Sequence, residues 1–418
     1  MVSASQVLDR VLVLEMVRVT EAAAVAASKL IGRGDEKAAD HAAVEAMRAA
    51  LNTLEMDGTV VIGEGERDEA PMLFIGEKVG AAQGRGPKID IALDPLEGTT
   101  ITAKAGPNAL AVLAIAEEGG LLNAPDVYME KLAVGPGYAE GVIDLARSPT
   151  ENIRSVAAAK GVDPSEIIVC VLDRERHQDL IAELRGLGCG IVLIPDGDVA
   201  GVIAVTDPDT TIDVYMGSGG APEGVLAAAA LRCVGGQFQG RLIFRNDDER
   251  ARADKWGVTD LDRIYKLEDL AKGDCIFAAT GVTDGSLLEG VKRRRNAVTT
   301  ESVVMRASTG TVRWVRGEHR HEPGARCPAS PCGAWGGGPG AAWWRGIWRQ
   351  GQRLRSGTSR AQTSTPPPPF GWSPSPSSMG RQGASKNPAA RREARSSREE
   401  SPPDRRRPGP EARLRLRR

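Results

Sequence analysis

Apolar and polar positions follow two rhythms up to about residue 321, and then the rhythm stops. Helix-period patterns predict helices over 5–31, 41–55, 150–160, 176–187 and 221–234. Short β-branched or apolar runs predict strands over 59–63, 89–94, 109–116, 166–172, 190–195, 212–216, 240–245, 275–280 and 302–306. From about residue 150, strand and helix alternate, which argues for βαβ units. In the first half the helices cluster ahead of the strands. The first segment carries Asp9, Glu15, Arg18 and Lys29 among its apolar residues, so it reads as an amphipathic helix and not as a signal peptide. No apolar run reaches the roughly 18 residues a membrane span needs.

Carboxylates gather where these elements meet. The run Ile89-Asp90-Ile91-Ala92-Leu93 leads into Asp94-Pro95-Leu96-Glu97-Gly98-Thr99, delivering two acids and a hydroxyl at a strand end. Open α/β sheets place their ligand sites at such ends. Thr59-Val60-Val61-Ile62 runs into Gly63-Glu64-Gly65-Glu66 in the same way. Asp35 to Asp40 stand before the helix at 41–55. Gly219-Gly220-Ala221-Pro222-Glu223-Gly224 lies between a strand and an Ala-rich helix. None of the four junctions contains histidine. Oxygen-only ligands suit hard ions, Mg²⁺ or Mn²⁺. A lone acidic turn is usually a solvated loop or helix cap, the better reading for Asp35 and Glu66; coincidence explains four of them poorly. Gly217 to Gly220 fail as a dinucleotide loop, because Pro222 stands where the third glycine belongs.

Charge divides the chain. Residues 322–418 hold 15 of the 26 prolines and carry a balance of +13, against −14 for residues 1–321. Pro366 to Pro369 and Ser373-Pro374-Ser375-Pro376 build neither helix nor ladder. We read this stretch as a disordered tail. The abrupt change favours an altered reading frame over a genuine arm, and nucleic-acid binding is the minority reading. His319, His321, Cys327 and Cys332 have loosely zinc-like spacing but no strand pattern around the cysteines, which argues against zinc. Cys170, Cys189, Cys233 and Cys275 sit singly in apolar or helical runs, as in a reduced cytoplasmic protein.

The ordered motifs resemble those of class II fructose-1,6-bisphosphatases, within the lithium-sensitive, metal-dependent sugar and inositol phosphatase superfamily. The likeness rests on the stretches 63–73, Asp94 to Thr99 and Asn123 to Lys131. It rests also on Ile194-Pro195-Asp196-Gly197-Asp198-Val199-Ala200 and on 219–224. The resemblance implies an α/β fold, a layered αβαβα sandwich with the active site in a cleft. It divides the chain into a metal-binding part, 1–145, and a substrate-binding part, 146–321. It implies hydrolysis of the 1-phosphate of fructose 1,6-bisphosphate in gluconeogenesis or carbon fixation. Sedoheptulose 1,7-bisphosphate is the closest rival substrate. An inositol-phosphate or nucleotide phosphatase is a more distant rival, and an Arg-rich nucleic-acid binder is the rival outside enzymes.

The resemblance also implies roles. Asp40, Glu64, Asp94, Glu97 and Glu223 would hold Mn²⁺ or Mg²⁺. Thr99 would orient and help deprotonate the attacking water; its plainer role is helix capping. Arg174, Glu175 and Arg176 would meet the remote phosphate, although Glu175 departs from the family's proline. Tyr128, Asp196, Gly197, Asp198 and Gly220, with Glu97, Gly98 and Thr99, would line the substrate. The expected partner is a small sugar bisphosphate, with no membrane, in a cytoplasmic homo-oligomer.

Overall fold

The amphipathic first segment forms helix α1, Leu12–Ala27, which buries Leu12, Met16, Val19 and Ala23 along one stripe. The second helix, α2, spans Glu36–Leu51 and begins earlier than the apolar pattern predicts. Asp35 explains the difference: its carboxylate accepts the Ala38 N–H at 2.9 Å and caps the helix. The computed structural model describes residues 12–65 and 72–320, all within one compact unit. Residues 1–11, the 66–71 part of the acidic turn, and everything from His321 onward, including the expected tail, lie outside the described residues.

Two sheets carry the architecture. The first uses β1 (Asp57–Ile62), β2 (Lys78–Val79), β3 (Lys88–Glu97), β4 (Leu110–Glu117), β11 (Cys275–Gly281), β12 (Lys292–Arg293), β13 (Ala297–Arg306) and β14 (Thr311–Arg320). Its order is β12-β13-β11-β4-β3-β1-β2, with β14 paired to β13. Only β1 and β3 run parallel in it. The second uses β5 (Tyr128–Val134), β6 (Ile168–Leu172), β7 (Gly190–Ile194), β8 (Val214–Gly220), β9 (Gln237–Ile243) and β10 (Ile264–Lys266). Its order is β10-β9-β5-β8-β6-β7. The predicted βαβ units are present: β7, β6 and β8 are parallel, and β5 joins β8 antiparallel.

Helices cover and separate the sheets. One apolar cluster joins α1 and α2 to the outer face of the first sheet through Met16, Met47, Ile91 and Ile115. A second joins the other face, through Val112 and Phe277, to helix α7 (Ala221–Val234) and onward to Met129 and Tyr215 of the second sheet. A third packs α4 (Pro149–Lys160) and α5 (Gln178–Gly186) on the far face of the second sheet. The layers are therefore helix, sheet, helix, sheet, helix, the expected α/β sandwich. Helix α7 is almost wholly apolar because it lies between two sheets and has no solvent face.

Sheet membership does not follow chain order. β5 lies before residue 145 yet sits in the second sheet, and β11 to β14 return to the first. Three short helices near the site went unpredicted: α3 (Thr99–Lys104), α6 (Asp198–Ile203) and α8 (Asp247–Lys255). The first two are six residues long, too short to show a period.

Candidate active site

The acidic motif after Leu93 is still part of β3. The ladder to β4 shifts register between Asp94 and Glu97, so the strand bulges where its two acids stand. Asp94 Oδ1 accepts the Leu96 N–H at 3.0 Å within the bulge. Gly98 follows at φ 88°, a left-handed conformation that favours glycine, and opens α3 at Thr99. Thr99 provides no side-chain cap, and its half-buried hydroxyl has no hydrogen bond among the described residues.

The other carboxylates converge on this bulge. Glu64 lies beyond the end of β1, the parallel neighbour of β3. Asp40 lies inside α2, not ahead of it. Glu223 lies in the first turn of α7, and its carboxylate occupies the space a Cβ at Gly220 would fill, so a side chain at 220 would displace that carboxylate. Burial, then Asp40, pushes Glu64 up to about 8. Burial, then Glu64 and Glu223, lifts Asp94 well above the usual carboxylate range. Glu97 is raised by burial and then by Asp198 and Asp94. Glu223 is raised by burial and then by Asp198, with Lys131 acting against the shift.

A cation fits this donor set. Glu97 Oε2 and Glu223 Oε2 are buried without a hydrogen-bond partner, and hard carboxylate oxygens suit a divalent ion. Among the described residues, no three acid, imidazole or thiol groups stand together as a preformed ligand cluster. The carboxylates are near enough to raise one another's pKa values but are not drawn to a single point.

A basic group lies beside the acids. Arg176 donates from Nε to Ser218 Oγ at 3.0 Å and from Nη2 to the Ser218 carbonyl at 2.6 Å. Its guanidinium lies 4.8 Å from the centre of the Tyr128 ring. Arg174 donates to the Pro195 carbonyl and approaches Asp196 Oδ1 at 3.4 Å. Glu175 opens the short 3₁₀ turn between them and makes no hydrogen bond to either arginine among the described residues. Gly197, at φ 80°, begins α6. Asp198 differs from its neighbour Asp196: it is buried and ion-paired with the fully buried Lys131 at 2.5 Å.

The acids and the basic group meet at one register pair, Tyr128 opposite Gly220, three residues before Glu223. Residues 10–319 match the family described as bacterial fructose-1,6-bisphosphatase, glpX-encoded. The chain belongs to that family. Over 324 aligned residues it is 50% identical to fructose-1,6-bisphosphatase 1 class 2 of Escherichia coli K12, covering 74% of this chain and 95% of the relative. The same figures hold for the class 2 enzymes of E. coli O6:H1 strain CFT073 and Shigella flexneri. A solved inositol monophosphatase from Anabaena (Nostoc) sp. PCC 7120 aligns at TM-score 0.25 and 12% identity, over 46% of this chain and 69% of that one. That likeness is too slight to bear on the fold.

In this bisphosphatase-family chain, several site neighbours escape sequence reasoning. Lys131 ends the Asn123 to Lys131 stretch, and a lysine inside an apolar strand is the signal for it. His177 holds Ser218: its Nδ1 donates to the Leu172 carbonyl at 2.7 Å, and its Nε2 accepts the Ser218 N–H at 2.9 Å. Arg245 also lies over Tyr128, at 4.6 Å. No local pattern marks the site role of His177 or Arg245, because Ser218 and Tyr128, which they meet there, are distant in sequence. His319 lies 3.1 Å from Thr300 Oγ1 and 3.5 Å from Glu21; its proposed zinc companions lie outside the described residues.

Proposed function

We propose that this chain hydrolyses the 1-phosphate of fructose 1,6-bisphosphate, giving fructose 6-phosphate and phosphate. The observation that carries this is the Tyr128–Gly220 pair, with the Glu223 carboxylate against Gly220 and Arg176 over Tyr128, so that an acid and a basic group stand side by side. A bisphosphate needs both: a reacting end that is neutralised, and a remote anion that is held.

In this reading Asp40, Glu64, Asp94, Glu97 and Glu223 hold Mg²⁺ or Mn²⁺. Such ions supply positive charge to the phosphoryl oxygens and make water a better nucleophile. The Thr99 hydroxyl accepts a hydrogen bond from that water, which orients it and helps its deprotonation. Gly98 sets the Thr99 hydroxyl at the start of α3. Arg174 and Arg176 bind the remote phosphate by forked, charge-assisted hydrogen bonds. Tyr128, Asp196 and the 197–198 turn line the sugar, with Gly220 leaving room for the Glu223 carboxylate. Asp198, paired with Lys131, orders the turn from beneath. No covalent phosphoenzyme is needed.

On the same reading, the part up to residue 145 supplies most metal contacts, and 146–321 most substrate contacts. The enzyme works as a cytoplasmic homo-oligomer. Its described cysteines, Cys170, Cys189, Cys233 and Cys275, are free and buried, which suits a reducing compartment. No described helix is long and apolar enough to cross a membrane. The test is phosphate release from a panel of fructose 1,6-bisphosphate, sedoheptulose 1,7-bisphosphate and inositol monophosphate, with each metal and with chelator. Preference for the fructose ester with metal, and loss of turnover in chelator, is the expected result. Equal turnover of inositol monophosphate, or full activity in chelator, would overturn the reading.

A further inference from the structure

We infer that Arg245 is a third basic contact for the remote phosphate, and that Glu249 is the residue that positions it. This rests on the bisphosphate reading above and extends it to residues outside the motifs.

Arg245 follows β9 by two residues, and β9 is the neighbour of β5 on the side away from β8. The register sets Tyr128 opposite both Gly220 of β8 and Ile243 of β9. The end of β5 therefore has the acids on one side and Arg245 on the other. The guanidinium carbons of Arg176 and Arg245 lie 4.8 Å and 4.6 Å from the same ring centre. Each gains from the ring's negative face. Two cations at one ring make this strand end positive, which suits an anion.

Arg245 is half-exposed at the surface but is not left to wander. Its Nε donates to Glu249 Oε1 at 2.7 Å, and its own backbone N–H donates to Glu249 Oε2 at 2.7 Å. The Glu249 carboxylate is almost fully buried. Asn246 caps α8 by accepting the Glu249 N–H at 2.9 Å, which fixes the turn between them. A buried carboxylate given over to one surface arginine lowers the entropy cost of using that arginine on a ligand. Arg176 is held differently, by neutral oxygens of Ser218, so its charge is not offset by a carboxylate in that contact. Both arginines are held at the same ring, Arg176 by Ser218 and Arg245 by Glu249.

The test uses the full chain. Arg245→Ala and Arg245→Gln are compared with wild type for KM and kcat on fructose 1,6-bisphosphate and on a simple monophosphate ester. Binding of fructose 6-phosphate is measured by calorimetry without turnover. Losing a charge-assisted hydrogen bond predicts a KM rise of roughly ten-fold to hundred-fold on the bisphosphate. The rise on the monoester should be smaller, and kcat should fall less than KM rises. Fructose 6-phosphate should bind more weakly by a similar factor. Arg245→Lys should recover part of this loss, and Glu249→Gln should show a smaller loss of the same kind. Equal KM changes on both esters, or unchanged fructose 6-phosphate binding, in variants with wild-type circular dichroism would overturn the assignment. If wild type does not turn over the bisphosphate, the functional reading fails. The fructose 6-phosphate arm then still decides Arg245.

Discussion

The backbone N–H of Val199 donates to Glu97 Oε1 at 2.8 Å, across 102 positions of sequence. One oxygen of Glu97 is thus tied to the start of α6, and the other is buried without a partner. The arrangement fixes the side chain and leaves one oxygen for a ligand. Glu97→Gln keeps an acceptor for Val199 and removes the charge. It should fold with a near-wild-type thermal midpoint while losing Mn²⁺ affinity in calorimetry. Glu97→Ala removes the acceptor too and should cost about 1–3 kcal/mol more, the expense of a buried unpaired N–H. Equal midpoints for the two variants would mean that the Val199 bond carries no weight.

Among the described residues, the Thr99 hydroxyl at the start of α3 makes no hydrogen bond and caps nothing. Thr99→Ala should therefore leave the thermal midpoint nearly unchanged while kcat falls by about 10²–10⁴, the usual worth of a positioned proton-transfer group. Thr99→Ser should retain much of the rate. A Thr99→Ala enzyme that loses stability, or one that loses metal affinity instead of kcat, would make the residue structural.

Much of this was legible in the sequence. The bounds of α7 and the junctions that carry Glu64, Asp94 and Glu97 followed from apolar runs broken by glycine, and the layered α/β sandwich from the family resemblance. What local patterns cannot carry is the pairing of distant strands. No strand is predicted at β5 because Glu130 and Lys131 interrupt its apolar pattern. In the sheet, Glu130 pairs with Arg241 and Lys131 is neutralised by Asp198. The roles of Asp196 and Asp198 also look alike in sequence. Only three-dimensional packing separates the half-exposed Asp196 from the buried Asp198.

Lys131 and Asp198 are a buried ion pair beneath the Gly219 to Gly224 turn. A Cβ at Gly219 would collide with the Asp198 carboxylate and come within 3.2 Å of Lys131 Nζ. Breaking such a pair by removing one partner strands a buried charge and costs about 3–5 kcal/mol. Lys131→Met and Asp198→Asn should each destabilise the protein by that order in urea unfolding. The double variant should recover a large part of the loss, because neither charge is left alone. Additive losses in the double variant would show that the pair is not coupled.

His177 supplies a pH-dependent element beside Arg176. Burial holds its pKa below the ordinary histidine value, and Arg176 and Arg174 push the same way, against the Leu172 carbonyl and Asp198. The folded pKa is therefore depressed, so the fold favours the neutral ring. The stabilisation is complete above the unfolded value of roughly 6.5 and is lost as pH falls through the lower folded value. Protonation also removes the acceptor for the Ser218 N–H, and Ser218 is what holds Arg176. We expect KM for the bisphosphate to rise as pH drops below that window. The substrate and the buried acids titrate as well, so the comparison is with His177→Asn, which cannot gain a proton. The ratio of the two KM values should change with pH only where His177 titrates. A constant ratio from pH 5 to 8 would remove His177 from the control of Arg176.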